Sequence, residues 1–177
     1  MPTNFIPTGA EYFRLMPEII LTLAATLMMI LEGLRGDRES HLIHNFSLVA
    51  LFAALWGAVV AYSNPGPAFQ NMLVIDGFAT FFRVLVIIVG ILAVFSSGQY
   101  LRRERSDGGE YHALILFSVV GQCLMATANE LMMIFIGLEI SSIATYILAG
   151  YLRDDKRNNE SALKYFLLGS FATAFLL

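Results

Sequence analysis

With 177 residues, 57% of them hydrophobic and only 14% charged, the chain has too little polar surface for a soluble domain, which sits near a quarter charged. Its mean hydropathy is +0.68. A net charge of −3, with no basic stripe outside short inter-span segments, gives no surface for nucleic acid, and the single cysteine, Cys123, excludes an intrachain disulfide.

The charged residues gather between apolar stretches of roughly 18–23 residues, the length that crosses a hydrocarbon core at about 1.5 Å rise per residue. This pattern predicts an all-α integral membrane protein, a polytopic transmembrane bundle of about six helices embedded in the lipid bilayer. Only Arg14 precedes the first apolar run, and that run is too long for a cleavable signal core. The first span runs from about Pro17 to Leu34, with Pro17 suited to a first helical turn. The second covers about Leu42–Tyr62 and the third about Phe78–Leu101. Between them Ser63–Gly77, rich in Asn, Pro and Gly, reads as an irregular loop, and Asp76 is placed to cap the third helix. The fourth span, about Tyr111–Ala128, and the fifth, about Leu131–Tyr151, are separated only by Asn129 and Glu130, so they are expected to pair antiparallel. The sixth is expected to start near Ser161, capped by Asn158 or Asn159, and to run apolar to Leu177. Because that last run is barely long enough to span, the chain reads as the N-terminal part of a longer protein that does not fold stably alone.

Basic residues set the orientation. Arg35 and Arg38 lie in the first loop, Arg102, Arg103 and Arg105 in the third, and Arg153, Lys156 and Arg157 in the fifth. The second and fourth loops have none, so the positive-inside rule puts the odd loops in the cytoplasm and the N-terminus outside.

Five ionisable residues fall within the spans: Glu18, Glu32, Arg83, Glu139 and Lys164. Glu18 at a helix start and Glu32, three residues before Arg35, read as structural residues at wet ends. Arg83, roughly 10 Å past Asp76 along the helix, reads as snorkelling outward; it lies at about the depth of Glu139 and is the one basic group here that could meet it, although the partner of Glu139 is expected on helices outside this chain. Glu139 lies roughly 12 Å past Leu131, too deep for so short a stem to reach water. An acid at that depth costs about 2.5–3.5 kcal/mol and belongs on a bundle interior or a water path. Ser142 and Tyr146 share its helix face at i+3 and i+7. Against a protonated structural acid, an ion or proton pathway is the reading favoured for Glu139. Lys164 is open between snorkelling, with Glu160 at i−4, and a functional role. Roughly 13 Å separates Glu139 from Lys164 along the axis, so coupling between them needs water or another residue. His41 and His44, three apart at the end of the second span, lack a third ligand and do not read as a metal site. Cys123, Met132 and Met133 read as packing or lipid-facing residues.

The segment ELMMIFIGLEISSIATYILAGY at Glu130–Tyr151, the following RDDKRNNESALKYFLLGSFATAF, and VIDGFATFF at Val74–Phe82 together resemble the subunit N family of the proton-pumping NADH:quinone oxidoreductases, respiratory complex I. GLE alone is a weak signal; the set is specific and covers most of the chain. The resemblance implies a protein of about fourteen helices with two inverted five-helix repeats. Residues 1–110 would form an N-terminal three-helix segment and 111–177 the start of the first antiporter-like repeat. It implies that Glu139 is a proton-channel residue coupled to a lysine on the seventh helix, beyond Leu177, and that Lys164 takes part in proton transfer. It further implies a bacterial inner-membrane subunit whose partners are the other membrane subunits, the lipid bilayer and protons. NADH, FMN, iron–sulfur clusters and quinone would be handled by other subunits, leaving no cofactor on this chain. A subunit of a multisubunit cation/proton antiporter, and a passive membrane scaffold, are the alternatives.

Overall fold

The computed structural model describes residues 7–35, 41–103 and 108–176. It contains a short helix α1 (Gly9–Arg14), long helices α2 (Met16–Arg35) and α3 (His41–Ala61), a hairpin of β1 (Gly66–Ala68) and β2 (Leu73–Ile75), and helices α4 (Gly77–Arg103), α5 (Gly109–Thr127), α6 (Leu131–Ala149) and α7 (Lys156–Ala174). The six long helices correspond to the six expected spans. Five of them, α2 to α6, are long and apolar enough to cross a membrane; α7 opens with a charged turn, KRNNE, which shortens its apolar part.

α5 is the hub. Twelve of its residues are buried, and it packs against α2, α3, α4 and α6. Around it Leu21, Ala25 and Met28 of α2, Leu51, Ala54 and Ala58 of α3, Ile87 and Val94 of α4, and Leu116 and Cys123 of α5 form one core. On α3 the buried positions Ala50, Ala54, Ala58 and Ala61 recur at helical spacing, while Phe52, Trp56 and Val59 are exposed on the other side. Small residues inward and large apolar residues outward are what a bilayer rewards, because lipid supplies no hydrophobic drive between helices and close packing must hold them.

α5 and α6 meet through such an approach. A Cβ on Gly121 would lie 2.5 Å from both Gly137 O and Ser141 N. The neighbouring Ser118 and Ser141 hydroxyls share a hydrogen bond of 3.1 Å, and Gln122 Nε2 donates to Ser118 Oγ at 3.1 Å. Ser118 opposite Ser141 and Gly121 opposite Gly137 run in opposite chain directions, so the pair is antiparallel as the two-residue connection requires.

Three local features differ from the sequence reading. Ser63–Gly77 is not wholly irregular, since Gly66–Ala68 pairs antiparallel with Leu73–Ile75. Its tip, Phe69–Gln70–Asn71, takes positive φ at three consecutive non-glycine residues, a conformation that costs of order 1–3 kcal/mol per residue and persists only when surroundings enforce it. Glu11 Oε1 accepts from Phe69 N at 2.8 Å, and Asn129 Nδ2 donates to Asn71 O at 2.9 Å, which supplies that enforcement. The last helix begins at Lys156, not Ser161, and its cap is Asp155, which accepts from Arg157 N at 2.9 Å, rather than Asn158 or Asn159. A short helix, α1, precedes the first span. Asp76 caps α4 as expected, its Oδ1 accepting from Ala79 N at 2.7 Å.

Candidate functional site

The candidate site is the face of α6 turned away from α5. At 3.6 residues per turn, Gly137, Ser141 and Ala144, all buried, project from the side that meets α5. Glu139, Ser142 and Tyr146 project from nearly the opposite side. Packing α6 on α5 through two glycines therefore fixes which way Glu139 points. It is half-buried, and among the described residues it makes no ion pair.

α7 lies along this face. Tyr146 stacks edge-on against Tyr165 at 4.8 Å and Phe166 at 5.7 Å, and its hydroxyl sits where a Cβ on Gly169 would come within 1.9 Å. Gly150 faces Ala162 in the same manner. Measured from that contact, Glu139 lies roughly 16 Å down the axis and Lys164 roughly 3 Å. The two groups are not brought together, in agreement with the gap of roughly 13 Å read from the sequence. Lys164 Nζ is paired with Glu160 Oε1 at 2.5 Å, and both side chains are about two-thirds exposed.

A second pair of charges is buried elsewhere. Arg83 on α4 and Glu18 on α2 form an ion pair in which Arg83 Nε and Nη2 both donate to the Glu18 carboxylate, the Nε bond at 2.8 Å. Arg83 Nη2 also donates to Arg14 O at 2.9 Å. Arg83 is 0% and Glu18 2% exposed. Arg83 neither snorkels nor meets Glu139, and Glu18 is structural as expected but buried rather than at a wet end. Counting residues from a span's start gives true depth only when that start is at the surface. Here α1 and the hairpin cover it. Arg14 holds them together, donating from Nε to Asn64 O at 2.9 Å and from Nη1 to Pro67 O, and Leu15, Phe69 and Met133 pack on Ala68, Leu73 and Ile75 beneath. The signal that could have found the pair is two opposite charges near the starts of α2 and α4, at the same end of the bundle.

The side chain of His41 lies outside the described residues, and the reading of His41 with His44 falls there. His44 meets His112 of α5, Nδ1 to Nε2 at 3.1 Å. Glu32 Oε2 lies against Gly109; Arg35, its expected partner, likewise has a side chain outside the described set.

Long apolar helices and glycine-locked packing define a polytopic helical membrane protein, with the half-buried Glu139 carboxylate in the third turn of α6. The family described as NADH:quinone oxidoreductase/Mrp antiporter, TM, matches residues 128–177, a stretch that holds both Glu139 and Lys164. The whole chain is 58% identical over 177 residues to NADH-quinone oxidoreductase subunit N 1 of Solibacter usitatus, covering 36% of that protein. It is 39% identical over 92% of its length to subunit N of Trichlorobacter lovleyi, covering 34% of that protein. A chain in the structure of respiratory complex I from Thermus thermophilus with bound aureothin superposes with a TM-score of 0.72 at 26% identity, over 90% of this chain and 34% of that one. Over its length the chain is similar to NADH-quinone oxidoreductase subunit N, and it spans about a third of the length of the relatives it matches.

Proposed function

We propose that this chain is part of a membrane subunit of a proton-translocating NADH:quinone oxidoreductase, in which Glu139 carries protons and Lys164 supplies a second station. The observation that carries the reading is Glu139 itself: a carboxylate in the third turn of a membrane helix, held by the Gly121–Gly137 contact on the face opposite α5. Proton movement would follow from changes at its partner, since a nearby cation lowers a carboxylate's proton affinity and desolvation raises it. A lysine that approaches and withdraws thus loads and unloads the acid. Because Lys164 is roughly 13 Å away along the axis, that lysine is a different one, and Lys164 connects through water or intervening groups.

In this reading residues 1–110 form a three-helix support and 111–177 the beginning of the conducting repeat. Energy comes from quinone reduction on partner subunits, which also carry FMN and the iron–sulfur clusters and bind NADH. The subunit lies in the bacterial inner membrane with its N-terminus outside, supported by the basic residues Arg103, Arg153, Lys156 and Arg157 all falling at one end of the bundle.

The test is proton pumping by the complete complex in sealed vesicles with Glu139→Gln, while NADH oxidation is followed. Pumping reduced tenfold or more, with the complex assembled, is expected; unchanged pumping and oxidation would leave Glu139 a structural acid. The matching family's description also names Mrp antiporters, which favours a second reading as a subunit of a cation/proton antiporter. Proton movement that follows a sodium gradient and ignores NADH would select it.

A further inference from the structure

We infer that Ser142 and Gln122 are positioning residues for proton transfer, holding waters beside Glu139 along a polar seam on one flank of the α5–α6 pair. The inference rests on the role proposed for Glu139 and extends it to groups that carry no charge. From Glu139 to Ile147 the side chains of α6 divide by chemistry. At about 100° per residue, Ser141, Thr145, Ser142, Tyr146 and Glu139 follow one another around one flank, from the side that meets α5 to the side that meets α7. Ile140, Ile143, Ala144 and Ile147 occupy the rest of the circumference.

The seam continues on α5. Ser118 and Ser141, both buried, share the hydrogen bond between their hydroxyls, and Gln122 Nε2 donates to Ser118 Oγ and stands 3.5 Å from Ser141 Oγ. Gln122, Ser142 and Glu139 are half-buried. Thr145 is engaged locally, its hydroxyl donating to Ser142 O at 2.9 Å. Among the described residues the Ser142 hydroxyl and the far end of the Gln122 carboxamide meet no hydrogen-bonding group. Polar groups left unpaired in hydrocarbon are costly, whereas a water is stable where several polar groups receive it. The isoleucine flank suits lipid, with Ile143 and Ile147 about half exposed; the seryl flank suits water. A hydroxyl donates and accepts at once, so Ser142, one turn from Glu139 on the same face, orders a water against the carboxylate. The carboxamide of Gln122 orders the next. A proton that reaches Glu139 through these waters joins one oxygen as another proton leaves for the next, and neither side chain changes charge.

The complete complex, with Cys123→Ser as background, is treated with a small water-soluble methanethiosulfonate, which reacts with the thiolate. Ser142→Cys is expected to react about tenfold faster or more than Ile143→Cys, its neighbour on the apolar flank, because a thiolate forms only where water reaches it. Equal rates, read by mass spectrometry of this segment, would overturn the seam. Pumping by the assembled complex in sealed vesicles separates water-holding from packing. Thr and Val are alike in size but only Thr carries a hydroxyl. Ser142→Thr is therefore expected to pump about tenfold more than Ser142→Val, with Gln122→Met reduced as the Val variant is. Equal pumping by the Thr and Val variants would overturn the positioning role, and a Val variant that fails to assemble leaves the cysteine rates to decide. Native pumping by Glu139→Gln would remove the proton-transfer reading, while fast reaction at Ser142→Cys would still show water in the seam, so the two failures are told apart.

Discussion

Glu18 and Glu139 are both carboxylates on membrane-crossing helices, and their surroundings differ. Glu18 is neutralised by Arg83 through two donors and sealed beneath α1 and the hairpin, an arrangement that fixes α2 against α4. Removing one member of a buried pair strands the other charge and costs about 3–5 kcal/mol, whereas replacing both with apolar groups is often neutral. Glu18→Leu alone is accordingly expected to prevent stable assembly of the complex, and Glu18→Leu with Arg83→Leu to restore it, as read by native gel and thermal melting. A double variant no more stable than the single would show that the pair does not act as a unit. Glu139 has no such partner among the described residues, and its chemistry is free to change. Sequence reasoning placed Glu139 in the third turn of its helix because that helix begins where its apolar run begins, at Leu131. It misjudged Glu18 and Arg83 because nothing in PTGAEYFRLM announces that a short helix folds back over the span that follows.

At the scale of elements, the α5–α6 contact decides where the candidate site points. A methyl at Gly121 would strike backbone atoms at 2.5 Å, which no rotamer change relieves. Gly121→Ala is expected to push the helices apart at a cost of about 1–3 kcal/mol, lowering the melting temperature of the assembled subunit; an unchanged melting temperature would mean the contact is looser than the geometry states. The outer cap is a second such element. Glu11 accepts from Thr8 N at 2.6 Å and from Phe69 N at 2.8 Å, and the Thr8 N–H, the first cause, together with the Phe69 N–H holds its carboxyl below the ordinary value of 4.5. A lowered folded-state value means the carboxylate stabilises the cap fully above pH 4.5 and loses this as pH falls through that lowered value. Amide exchange at Phe69 is expected to quicken on that acid limb, and Glu11→Gln to abolish the pH dependence; a dependence that survives the substitution would place its origin elsewhere. Strong periodic signals made the long helices legible. The hairpin was not, because its strands are three residues each and its tip is held by side chains far away in the chain.

For the whole molecule, the distribution of large exposed apolar residues and of basic residues describes a bundle that needs both lipid and an orientation. Trp56, Leu92 and Phe95 are exposed on helices whose other faces are packed, a surface that only a bilayer or further helices can cover. The proposed orientation, N-terminus outside, predicts that a cysteine at Ser63 in a Cys123→Ser background reacts with a membrane-impermeant maleimide in intact spheroplasts, and one at Arg153 only after lysis. The reverse pattern would invert the topology. The likeness to subunit N was also readable from the sequence, since it rests largely on the run from Glu130 onward, and the matched family region begins at residue 128. The separation of Glu139 from Lys164 was readable for the same reason: both lie on regular helices joined by a short connection.

The division of labour between the two carboxylates is tested most directly by the number of protons pumped per NADH oxidised. The complete complex in sealed vesicles is compared as Glu139→Gln and as the Glu18→Leu/Arg83→Leu double variant. Glu139→Gln is expected to assemble, oxidise NADH and pump fewer protons, while the double variant pumps as the native complex does. Native stoichiometry in Glu139→Gln, or loss confined to the double variant, would contradict the assignment of proton transfer to Glu139.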